Sequence, residues 1–192
     1  MKQNILVILF FISSFSFSQD IKIISSNQSR IVIKYIPEAT DTINIKGIRE
    51  NFVKLVFSGT SIDNAEETGM PEIPVKILNL GVPSEYGSQI KIISEKRSQI
   101  TGVPVPVPEL LNNEGLLEER YIKNENYSNF IYPETIMFGD FGYAASVPVQ
   151  QVKIYPMTSD NSGKISILKE IIFEVVLSGS GSGVKIPDDD MI

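Results

Sequence analysis

Covalent catalysis by this chain is limited by what it lacks: its 192 residues include no Cys and no His. A thiolate–imidazole pair cannot form, and a Ser/His/Asp triad has no imidazole to take the serine proton. Zinc sites built on thiolates or imidazoles are excluded with them. Carboxylates remain, and Asp63, Glu66, Glu67, Asp140 and Asp160 are the acids that could in principle work as a glycosidase pair. Each stands among glycines or asparagines, where acidic residues favour turns. The segment Asp160-Asn161-Ser162-Gly163 is rich in oxygen but lacks the alternating carboxylates and closing Glu of a calcium loop. No catalytic residue, cofactor site or metal site is therefore expected.

The elements that would position any functional side chain read as β-structure. Residues 29–36 place Ile31, Ile33 and Tyr35 on one face, as a half-buried strand requires. Residues 43–48 alternate in the same way, and residues 52–57 give a further β-rich run. In Gly69-Met70-Pro71-Glu72-Ile73-Pro74 two prolines remove ladder donors, which predicts a stiff loop or edge segment. Strands are expected over 75–81 and 89–94, on either side of a turn at Pro83-Ser84-Glu85-Tyr86-Gly87. Val103-Pro104-Val105-Pro106-Val107-Pro108 predicts an exposed polyproline-type strap outside any sheet.

From 109 to 129 the chain is polar, with Leu110, Leu111, Leu116 and Leu117 as its apolar anchors, and is expected to form a helix or long loop. Strands resume over 141–149, 150–155 and 164–177, the last with Ile165, Ile167, Ile171, Phe173 and Val175 at even spacing. Ser159-Asp160-Asn161-Ser162-Gly163 supplies the hairpin loop before it. Many short strands, frequent Gly and Pro, and no βαβ rhythm predict an all-β fold, an antiparallel β-sandwich of jelly-roll type with little helix.

Both ends of the chain differ from this middle. Lys2 precedes an apolar run from Ile5 to Phe17, too short to span a bilayer comfortably, and Ser16-Phe17-Ser18 has small residues where signal peptidase reads. Residues 1–18 are expected to be a cleaved signal peptide, which predicts export to the periplasm, cell surface or medium without stable membrane insertion. Residues 178–192, Gly/Ser-rich and then acidic, read as a linker or tail beyond a domain at 19–177. The net charge of −6 is spread along the chain, and no cluster of Lys and Arg forms a phosphate-tracking patch, so nucleic acid is not an expected partner.

Gly69-Met70-Pro71-Glu72-Ile73-Pro74-Val75-Lys76 followed by Leu80-Gly81-Val82-Pro83 resembles the Gly-x-Pro-x-Leu-Pro segment and next strand of gingipain propeptides. Tyr132-Pro133, Gly139-Asp140-Phe141-Gly142-Tyr143, Tyr155-Pro156 and Gly163-Lys164 then follow in the order of that family. The resemblance spans residues 21–177. It implies a non-catalytic β-sandwich prodomain of a secreted, type IX-exported cysteine peptidase, which assists folding of that enzyme and keeps it latent. It also implies a caspase-like peptidase domain as partner, in cis or in trans, and a loop that lays a basic residue in the specificity pocket. Arg120 and Lys123 are the candidates for that inhibitory residue, held by a charge-assisted bond. An extracellular adhesion or carbohydrate-binding module, stacking sugars on Tyr127 or Tyr132, is the alternative.

Overall fold

The structure, a computed structural model, describes residues 20–177 apart from 28, 83–88 and 161. The expected leader at 1–18, the turn at Pro83 to Gly87 and the tail at 178–192 lie outside the described residues. In chain order the strands are β1 (Ile21–Asn27), β2 (Arg30–Tyr35), β3 (Ala39–Lys46), β4 (Asn51–Phe57), β5 (Ser61–Ile62), β6 (Pro74–Gly81) and β7 (Gln89–Thr101). They continue as β8 (Glu109–Asn113), β9 (Leu116–Arg120), β10 (Ile136–Ala144), β11 (Val147–Ile154), β12 (Met157–Ser159) and β13 (Lys164–Val176). Helix among the described residues amounts to one 3₁₀ turn, Tyr127–Asn129. No helix among them is long and apolar enough to cross a membrane.

The fold is all-β, and its named strands pair antiparallel throughout. One sheet runs β1-β2-β13-β12, with β7 on the other side of β13; a second runs β10-β11-β6-β5. Ile33, Tyr35, Ile171, Phe173 and Val175 of the first face Val152, Ile154 and Ile136 of the second across the main core. Each fully buried Val, Ile or Phe among them contributes about 1.5–3 kcal/mol. The buried Lys76 Nζ lies 2.7 Å from Asp20 Oδ2, tying the segment before β1 to the second sheet.

The even spacing of apolar residues along β13 conceals a change of face. A bulge between Leu168 and Glu170 puts an extra residue opposite β7 and shifts the phase of the strand. Ile165 and Ile167 join Leu55 and Phe57 of β4 and Met157 in a second cluster, whereas Leu168, Ile171, Phe173 and Val175 belong to the main core. The first sheet is thus covered by the second sheet toward one end and by the β3–β4 hairpin toward the other.

Three expectations require correction. The run 141–149 is not one strand: β10 ends at Ala144 and β11 begins at Val147, with Ala145 (φ 48°) and Ser146 (φ 70°) forming the turn. The Val-Pro strap is buried rather than exposed, with Val105 at 2% and Val107 at 4% exposure. Its valines supply the donors that its prolines lack. Val105 N–H donates to Val53 O at 3.0 Å and Val107 N–H to Met70 O at 2.7 Å. Strap carbonyls accept in return from the N–H groups of Val53, Glu72 and Gly69. Finally, the segment expected to be helix or long loop contains the hairpin β8–β9, and its leucines do not anchor it: Leu110 is 61% exposed and Leu116 and Leu117 are each 71% exposed.

A projecting hairpin as the candidate functional site

The hairpin is closed by a two-residue turn in which Glu114 (φ 51°) and Gly115 (φ 89°) both adopt positive φ, and Asn112 Oδ1 accepts the Gly115 N–H at 3.0 Å. Its strands pair with each other and, among the described residues, with no other strand. An isolated two-stranded ribbon is marginal in water. This one is steadied where both of its legs enter the body.

The entering leg is the buried strap. On the leaving leg, Asn124 N–H donates to Gly69 O at 3.1 Å and its Nδ2 to Thr68 O at 3.0 Å. The buried Tyr127 donates its hydroxyl to Pro104 O, joining one leg to the other. Gly69 is required at the crossing: its φ is +80°, and a Cβ there would sit 2.9 Å from the backbone N of Asn124. Glu72, the buried acid of the same motif, pairs with Lys54 Nζ at 2.9 Å. The glycine-proline motif and the strap thus form a clamp from which the hairpin extends as an arm.

The two basic candidates occupy different positions on this assembly. Arg120 is the last residue of β9; its side chain is 42% exposed and its Nε donates to Glu109 Oε2 across the arm at 3.0 Å. Lys123 lies below the arm and is 26% exposed. Its ammonium is 2.7 Å from Glu50 Oε2, 4.6 Å from the Tyr127 ring centroid and 5.7 Å from that of Phe52. Carboxylate and ring faces enclose it. Lys123 also lines a cleft of about 350 Å³ with Ile48, Arg49, Phe52, Tyr121 and Ile122. Tyr121 donates to Glu119, and burial together with that carboxylate pushes its phenol up.

Two of the remaining candidates have local partners. Burial pushes the Asp63 carboxyl up, but the Lys153 ammonium and Tyr155 hydroxyl, each at 2.8 Å, bring it below the ordinary value overall. Asp160 accepts from the N–H and hydroxyl of Ser162, which lowers its pKa and caps the β12–β13 turn. Glu66, Glu67 and Asp140 are exposed. No group of three potential metal ligands occurs among the described residues. The sugar-stacking platform does not form at its expected place, because Tyr127 is buried and Tyr132 packs edge-on to Phe130 against the second core. Sequence reasoning missed the arm itself. Its signal was Gly115 between two Leu pairs, with Asn112 and Asn113 before it.

Comparison with known proteins adds two findings. The model of the C25 propeptide family (Propeptide_C25) matches residues 15–182. Among solved structures, the chain is similar to one described as a complex of the pro- and mature domains of RgpB from Porphyromonas gingivalis. The TM-score is 0.70 at 16% identity, over 85% of this chain and 86% of that one. A structure described as giving insight into the zymogenic latency of gingipain K from the same organism matches with a TM-score of 0.65 at 13% identity. That match covers 82% of this chain and 92% of that one. A search of curated proteins finds no significant match.

Proposed function

Because the chain belongs to the C25 propeptide family, we propose that it is the non-catalytic module that keeps a gingipain-type cysteine peptidase latent. It does so by covering the active site of that enzyme, whose folding it also assists. The observation that carries this reading is the arm: a hairpin clamped at both legs, with an exposed guanidinium at the end of β9. Arginine suits an acidic specificity pocket, where it makes paired charge-assisted bonds. Arg120 is the better of the two candidates, since its cross-arm pair is exposed and so contributes little, about 0–1 kcal/mol. Lys123 would have to leave Glu50 and two aromatic rings to enter a pocket. Residues 1–18 direct export, residues 19–177 form the module and residues 178–192 are a linker or tail; the peptidase stands in cis or in trans.

The test is inhibition of the C25 peptidase domains made by the same organism, using the purified module and its Arg120→Ala and Lys123→Ala variants. The wild-type module inhibits one of them, Arg120→Ala weakens inhibition by roughly tenfold or more, and Lys123→Ala has the smaller effect. Undiminished inhibition by both variants would sink the mechanism of the basic residue. Absence of inhibition by the wild type would sink the reading as a whole.

A further inference from the structure

The arm offers a partner more than one basic side chain. A single exposed leucine is ordinary on a protein surface. Three on one short hairpin, with neither outer edge paired among the described residues, leave apolar side chains exposed for a partner on both of its faces. Strand alternation sorts these leucines. The pairs Glu109↔Arg120, Leu111↔Glu118 and Asn113↔Leu116 put Leu116 on the face of Arg120, whereas Leu110↔Glu119 and Asn112↔Leu117 put Leu110 and Leu117 on the opposite face. Leu116 and Arg120 are four positions apart on β9, about 13 Å at a rise of ~3.3 Å per residue. The arm is also acidic, with Glu109, Glu114, Glu118 and Glu119 against Arg120 alone.

Building on the propeptide reading above, we infer that the arm is a two-point dock: Leu116 seats in an apolar subsite, rimmed by basic side chains, on the same peptidase domain that receives Arg120. The clamp fixes the legs in advance, so less order remains to be lost on binding. The apolar contact adds binding of its own, apart from the charge-assisted bond of the guanidinium to a carboxylate. Affinity then persists in part without Arg120, so holding the enzyme and blocking its pocket are separable.

The experiment is calorimetric titration of the whole module onto a C25 peptidase domain of the same organism, with its active-site thiol blocked by a small alkylating reagent. Wild type, Leu116→Ser, Leu110→Ser and Arg120→Ala are compared after their thermal midpoints are checked. Leu116→Ser is expected to weaken binding by roughly tenfold or more, and Leu110→Ser by less than about twofold, as for a surface change away from the contact. Arg120→Ala retains measurable binding, and the affinity of the wild type falls as salt is raised. Wild-type affinity for Leu116→Ser overturns the inference and leaves the propeptide reading standing. Equal losses for Leu116→Ser and Leu110→Ser, complete loss with Arg120→Ala, or salt-independent binding overturn it as well. A wild-type module that binds no such domain overturns the reading, and the inference with it.

Discussion

Residues 103–108 and 109–120 are adjacent in sequence and opposite in burial. The first stretch is the Val-Pro strap, wedged between β4 and the glycine-proline motif; the second is the arm, which among the described residues pairs only with itself. Composition alone would assign them the other way round, because alternating prolines favour exposed polyproline geometry and leucines favour interiors. The difference shows where a proline-rich segment can be buried. It can go inside wherever its non-proline residues satisfy the neighbouring backbone, as Val103, Val105 and Val107 do here. It also shows that apolar side chains on a ribbon without a second layer remain outside.

The sharpest way to break the contrast is to cut the link between the legs. Tyr127→Ala empties a buried site, leaves Pro104 O without its donor and opens the enclosure of Lys123. It should cost about 3–5 kcal/mol by the measure of aromatic truncations in cores. Leu117→Ser at the tip of the arm should change stability by less than about 0.5 kcal/mol. Urea unfolding followed by circular dichroism measures both, and similar losses for the two would mean that the arm is not independent of the body. Gly69→Ala comes next, at about 1–3 kcal/mol for a strained left-handed residue with a new Cβ against backbone. Hydrogen exchange should then show faster exchange at Asn124 and Tyr127 than in the core of β13; unchanged rates at those two amides would argue against the crossing as the arm's footing.

Much of the fold was legible because its physics is local. The alternation of Ile31, Ile33 and Tyr35 in β2, and the glycine at position 163 with φ +78°, announce a strand and a turn from neighbouring residues alone. Three features were not legible in this way. The turn at Ala145 and Ser146 uses residue types that seldom adopt positive φ, so the strands around it supply the constraint and the turn itself carries no signature. The bulge at Leu168 leaves the apolar spacing of β13 unaltered while moving its residues between two cores. The burial of the strap depends on Val53 and Met70, far from it in sequence. For the site, Arg120 and Lys123 came from the resemblance to gingipain propeptides, as basic residues of a polar stretch. Their separation depends on Glu50, Phe52 and Tyr127, whose approach to Lys123 is tertiary.

The smallest expected effect tests whether clamp and arm are electrically independent. Burial pushes the Glu72 carboxyl above its ordinary value of 4.5, the Lys54 ammonium opposes this, and the charge of Glu119 on the arm adds to it. A carboxyl that holds its proton more tightly when folded favours folding while protonated. Its contribution is complete below the ordinary value and is lost as pH rises through the folded-state value. The difference in unfolding free energy between wild type and Glu72→Gln should therefore move against the wild type as pH rises from about 4 toward neutrality. Groups shifted the other way, such as Glu170, held at about 2 by Lys34 and Lys96, are common to both proteins and cancel in that difference. Repeating the pair in a Glu119→Gln background should shift the decline to lower pH, because one like charge near Glu72 is gone. An unmoved curve would mean that no charge on the arm is felt at the clamp.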